Sequence, residues 1–146
     1  MKKYALPGIL VLFSGALLAQ AAVPVVVETA FAGRFPGAVY VEWEDVKDGI
    51  YEVDFEQDGK DMMAKFDAEG NWVETEIEIA ETNLPEAVWK AITTQFAGYS
   101  IDKVETESKP ERELAYKVRL KRDDAEVKVT FSTEGEVLKK KEKSGD

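Results

Sequence analysis

Carboxylates are the side chains in this sequence most able to do chemistry, and they recur at every second position. Glu42 and Glu44 are followed by Glu52, Asp54 and Glu56, and then by Glu74 and Glu76. Two uses of such groups need no other residue type: paired acid and base work in glycoside hydrolysis, and an oxygen cage for Ca²⁺. With 29 acidic residues in the chain some pair is inevitable, so pairing alone does not indicate a glycosidase. For a cation, Glu42, Glu44, Asp54 and Glu56 can converge from neighbouring strands, or Glu44, Asp45 and Asp48 can share a loop. Neither set has the spacing of an EF-hand. The chain contains no histidine and no cysteine, which closes off Ser-His-Asp triads, thiol nucleophiles and ordinary zinc sites. No G-x-S-x-G, P-loop or G-x-G-x-x-G stretch occurs either. The expectation is a protein that is not an enzyme and has no resident cofactor, with Ca²⁺ as the one candidate ion.

The elements that would position these carboxylates follow from an internal repeat. "FDAEG" at 66–70 returns as "FSTEG" at 131–135. At an offset of 65 the match extends from Tyr51-Glu52-Val53 over Tyr116-Lys117-Val118 to Glu69-Gly70 over Glu134-Gly135. At an offset of 61, Val23-Pro24 lies over Leu84-Pro85, and Val27, Phe31 and Phe35 lie over Val88, Ile92 and Phe96. The chain therefore reads as two tandem units, about 23–80 and about 83–143.

The four-residue apolar spacing predicts helices over roughly 24–34 and 84–97, the second capped by Asn83 with Glu86 closing a capping box. The β-branched run Val25-Val26-Val27 taken alone favours a strand; the repeat assigns it to a helix. After each helix the period becomes two. In the first unit Val39-Val41-Trp43, Tyr51-Val53-Phe55, Met62-Ala64-Phe66 and Val73-Thr75-Ile77 form the inward set. Turns at Lys47-Asp48-Gly49, Gln57-Asp58-Gly59 and Ala68-Glu69-Gly70 separate them. The predicted fold is α+β: two helix-plus-four-stranded antiparallel meander units, with the helices covering one sheet face.

The residues out of phase with the core define the other face. In the first unit they are Tyr40, Glu42, Glu44, Glu52, Asp54, Glu56, Met63, Lys65, Trp72, Glu74 and Glu76. In the second they are Lys117, Arg119, Lys121, Lys128, Thr130, Val137 and Lys139. Residues 22–81 hold 16 acids and 4 bases, residues 109–146 hold 9 acids and 11 bases, so one end of that face is acidic and the other basic. The net charge of −10 argues against nucleic acid as a partner. A protein or peptide is expected there instead, anchored on Tyr40 and Trp72 and steered by Glu42, Glu44, Asp54, Glu56, Glu74, Glu76, Lys117, Arg119 and Lys121.

The order helix–strand–strand–strand–strand, with Phe35-Pro36, Val41-Glu42-Trp43, Phe66-Asp67-Ala68-Glu69-Gly70, Trp72 and Leu84-Pro85, resembles the PepSY-like family of β-lactamase-inhibitor-like proteins. The resemblance runs from Val23 to about Lys143 and implies fold and export. The chain departs from the disulfide-bearing inhibitor of that plan in lacking cysteine.

Export is also legible on its own. Met1-Lys2-Lys3, an apolar run from Tyr4 to Leu18 and the small residues of Ala19-Gln20-Ala21 form a secretory signal over 1–21, with cleavage before Ala22. The run is shorter than the roughly 20 residues of a bilayer span, and the lack of cysteine rules out a lipid anchor at the cleavage site. The expected product is a periplasmic or secreted domain over 22–146 with no membrane anchor.

Overall fold

A computed structural model describes residues 22–44 and 47–143. The expected signal sequence at 1–21 and the candidate ligand Asp45 lie outside the described residues. Among them, no helix is long and apolar enough to cross a membrane. In chain order the elements are α1 (Val25–Arg34), β1 (Val39–Trp43), β2 (Ile50–Gln57), β3 (Lys60–Asp67) and β4 (Trp72–Ile79). A 3₁₀ turn (Glu81–Asn83) leads to α2 (Glu86–Gln95), β5 (Ser100–Ser108), β6 (Ala115–Arg122), β7 (Ala125–Ser132) and β8 (Val137–Lys143). The eight strands form one antiparallel sheet in sequence order, so β1 and β8 are its edges and β4 pairs with β5 at its centre.

Both helices start from a proline. The carbonyl of Pro24 accepts from the N–H groups of Val27 and Glu28, and that of Pro85 accepts from Val88 and Trp89. Proline's fixed φ and missing N–H suit the entrance to a helix, where that donor would have no partner. Asn83 is not the cap of α2: it closes the 3₁₀ turn before Leu84 and Pro85, and no side chain caps either helix. In α1 the intrinsic strand preference of three consecutive valines yields to burial, because the helix places Val27 and Phe31 against the sheet.

The core forms two clusters under the two helices. Val27, Phe31 and Phe35 pack on Val53, Phe55, Ala64 and Phe66; Phe31 meets the rings of Phe55 and Trp43 edge-on at 5.0 and 5.5 Å. Val88, Ile92 and Phe96 pack on Val118, Leu120, Val129 and Phe131. Phe66 and Phe131 are 1% and 0% exposed. The glycine of each repeated phrase has two reasons to be glycine. Gly70 and Gly135 both have φ of +83°, and an added Cβ would stand 2.9 Å from the Val26 carbonyl oxygen in one case and 2.4 Å from that of Ala87 in the other. Each turn thus tucks against the first turn of its helix. The residue after each phenylalanine ties the turn: the Asp67 carboxylate accepts from the Glu69 and Asn71 amides, and the Ser132 hydroxyl accepts from those of Glu134 and Glu136.

Edge strand β1 departs from the expected alternation. Its register shifts between Val39 and Glu42, Tyr40 takes a φ of +52°, and Val39 and Val41 are exposed, leaving Trp43 as its contribution to the core. This is a bulge, a common device at sheet edges.

Two consequences are measurable by denaturant unfolding. Phe66→Ala and Phe131→Ala should each cost about 3–5 kcal/mol through the cavities they leave. Gly135→Ala should destabilise more than Gly59→Ala. Gly59 also has positive φ, at +71°, but an added Cβ there meets nothing within 4 Å.

Candidate functional site: the open face of the sheet

The helices cover one side of the sheet, and the other side carries the charged residues. The pairing of β4 with β5 dictates its centre. Glu76 stands directly opposite Glu107, and Glu78 opposite Glu105. Like charges directly across a ladder repel, and the neighbouring lysines offset this. Lys65 lies 3.6 Å from both Glu52 and Glu74, Lys109 lies 3.4 Å from Glu74 and 3.0 Å from Glu107, and Lys103 lies 3.5 Å from Glu78 and 3.1 Å from Glu105. Lys117 reaches across from β6 to the carboxylate of Glu76. Glu74 and Glu76 are only 7% and 5% exposed, although they sit on the face without helices.

Burial, followed by hydrogen bonds to Glu74 and Glu105, pushes Glu76 up to about 8, against the opposing pull of Lys117. Burial also works against ionisation of Glu74 and Glu105, yet the hydrogen bond with Glu76 and the nearby lysines hold both below the usual carboxylate range.

Toward β1 the face becomes acidic. Burial and then the charges of Glu52, Glu44 and Glu42 raise the Asp54 carboxyl. A cleft of about 530 Å³ opens there, with Asp54, Glu56, Met63, Glu76, Lys103 and Glu105 among its walls and Tyr40 at its rim. The β1 bulge leaves Tyr40 83% exposed. Glu44 is fixed beyond the end of β1, its amide donating to the Glu52 carbonyl at 2.9 Å. Asp48 occupies the β1–β2 turn at a φ of +54°. Toward β8 the face is basic: Lys117, Arg119 and Lys121 stand on β6, where the latter two hold Asp102.

Trp72 is not on this face. Val73 is an extra residue in β4, so that Lys65 pairs with Glu74 but Phe66 pairs with Trp72. The bulge turns Trp72 toward α1, where it joins the core. Its indole N–H donates to the Thr75 hydroxyl at 2.8 Å, and the Arg34 guanidinium stacks 3.7 Å from its ring centre. Val137 is displaced in the same way, opposite Phe131 on the core side. The proposed calcium set does not assemble either. Among the described residues the three carboxylates that approach within 4.8 Å are Glu74, Glu76 and Glu107, rather than Glu42, Glu44, Asp54 and Glu56. Lys65, Lys109 and Lys117 already neutralise that group. Lys103, Glu105, Glu107 and Lys109 escaped the sequence reading, although their alternation with Val104 and Thr106 is a strand signal.

The raised Glu76 carboxyl has a stability consequence. Below the unfolded value of 4.5 both folded and unfolded chains hold the Glu76 proton. As pH rises from 4.5 toward about 8, the unfolded chain releases it first, so this contribution to stability falls. Glu76→Gln should flatten the decline over that window, as measured by denaturant unfolding across it.

Comparison with known proteins accords with this geometry. The sequence profile of a family described as "putative beta-lactamase-inhibitor-like, PepSY-like" matches residues 49–139. A BLIP-like protein from Bacteroides fragilis superposes with a TM-score of 0.74 at 27% identity, covering 88% of this chain and 92% of that one. A DUF2874 family protein from Bacteroides uniformis gives 0.77 at 22% identity, with 83% and 90% covered. A protein from Bacteroides eggerthii, described as a "putative periplasmic" protein, gives 0.77 at 21% identity, with 84% and 90% covered. No curated protein matches the sequence.

Proposed function

Because this chain belongs to the PepSY-like family, described as β-lactamase-inhibitor-like, we propose that it is an exported, non-catalytic binding protein that engages another protein or peptide through the open sheet face. The observation that carries the reading is Tyr40. A bulged edge strand holds this large amphipathic ring 83% exposed beside a cleft walled by Asp54 and Glu56. A ring so placed can anchor a partner, and the surrounding carboxylates would steer a basic one into position. The anchor role expected of both Tyr40 and Trp72 thus rests on Tyr40 alone.

Two further elements belong to this reading. Export rests on the sequence of residues 1–21 and on the periplasmic description of a structural relative. Descent from two tandem PepSY-like units is supported by the recurrence of Phe66 and Gly70 as Phe131 and Gly135 in the same relation to α1 and α2. A calcium-binding role has less support, because the carboxylates that converge carry lysine partners.

A partner captured by the protein from periplasmic extract provides the test. Tyr40→Ala should weaken its binding by about 2 kcal/mol in calorimetry, while Lys90→Ala on the exposed side of α2 leaves it unchanged. Equal affinity of Tyr40→Ala and the parent would move the site off this face. Calcium in excess should leave the melting temperature unchanged; a rise reversed by a chelator would restore the cation reading.

A further inference from the structure

The basic end of the face has an arrangement that folding alone does not favour. On β8, Lys139, Lys141 and Lys143 stand opposite Thr130, Lys128 and Glu126 of β7, so two lysines, Lys128 and Lys141, face each other directly across the ladder. Such a like-charge pair is destabilising. With Lys65 on β3, Lys117 on β6 and Lys109 just beyond β5, these four lysines line a cleft of about 300 Å³ that Glu74, Glu107 and Glu126 also border. Lys109 and Lys117 are engaged by Glu74, Glu107 and Glu76, and Lys128 lies 4.0 Å from Glu126. Among the described residues, Lys139, Lys141 and Lys143 make no ion pair, so the cleft holds uncompensated positive charge.

Lysines on an edge strand can serve simply to discourage edge-to-edge aggregation. That purpose asks only for charge on the edge. It does not ask the edge lysines to share a cleft with lysines of β6 and β7, nor to oppose one of them directly. Among the described residues β8 pairs with β7 alone, which leaves one row of its backbone N–H and C=O groups free of sheet partners there. An added strand can use that row.

We propose that the β8 edge and its lysine cleft form a docking site for an extended acidic peptide segment of a partner protein. The segment adds as a ninth strand, and its alternate carboxylates lie over Lys139, Lys141 and Lys143. The proposal rests on the binding role assigned above and names the chemistry of the partner at this end. A peptide fits better than nucleic acid or an anionic membrane for two reasons. Only a peptide strand matches the free backbone groups, and beyond the neutralised junction the face turns acidic at Glu42, Glu44, Glu52 and Asp54, which would repel an extended polyanion.

The probe is a synthetic peptide of alternating Thr and Glu, of the length of β8, titrated into nitrogen-15-labelled protein. Thr-Gln and Thr-Lys peptides and a short single-stranded DNA serve as comparisons. The expected result is a set of amide shifts at Val137–Lys143 and β7 with the Thr-Glu peptide. Neutralising Lys139→Gln, Lys141→Gln and Lys143→Gln together should weaken its binding about tenfold or more, and the Thr-Gln peptide should bind comparably weakly. Absence of shifts, equal binding by the triple variant, or a lysine-dependent response to DNA but not to peptide would overturn the proposal. Shifts clustered at Tyr40 and β2 would overturn it while leaving the open-face reading intact. Shifts confined to α1 and α2 would tell against both.

Discussion

The open face depends on the junction of β4 with β5. That pairing makes one continuous sheet of eight strands, and its register sets Glu76 against Glu107 and Glu78 against Glu105. A row of opposed carboxylates is tolerable only with cations close by, and these come from β3, β5, β6 and the residue just beyond β5. Lys65, Lys103, Lys109 and Lys117 thereby become structural residues. The network is buried without a helix over it, because the long lysine stems cover the carboxylates they neutralise.

The consequence for recognition is a surface with a sign gradient around a fixed centre. The charges at the junction are spent on one another, so what faces outward lies at the ends. One end offers Tyr40 and the carboxylates of β1 and β2; the other offers the lysines of β7 and β8. The helices occupy the opposite side and bury their apolar stripes against the sheet, which leaves this face as the broad polar surface of the fold. The lack of histidine and cysteine removes the commonest routes to catalysis.

Much of the fold was legible in the sequence because its signals are local and recur along the chain. The spacing Val27-Phe31-Phe35 identifies α1 despite its valines, and its recurrence as Val88-Ile92-Phe96 identifies α2. Phe66, Gly70, Phe131 and Gly135 mark the third strands and turns of the two halves. The site was legible only in part. A strand's side-chain period is two, so a single extra residue exchanges its faces. Val73 does this to Trp72, and the bulge of β1 both frees Tyr40 and exposes Val39 and Val41. Nothing in the alternation of Trp72, Glu74 and Glu76 reveals such an insertion. The burial of Glu74 and Glu76 was equally hidden, since it follows from the approach of β5, with Glu107 arriving from beyond α2. Composition described the charges of this face, and only the tertiary pairing decides which are satisfied and which remain to be offered.

Carboxyl footprinting of the protein with and without its captured partner tests the central claim most directly. The exposed carboxylates Glu42 and Asp54 report on the open face, and the exposed Glu28 and Glu86 report on the helical side. If the open face is the binding surface, the partner will slow the modification of Glu42 and Asp54 and leave Glu28 and Glu86 reacting as in the free protein. Protection of Glu28 and Glu86 with unchanged reactivity at Glu42 and Asp54 would contradict the account.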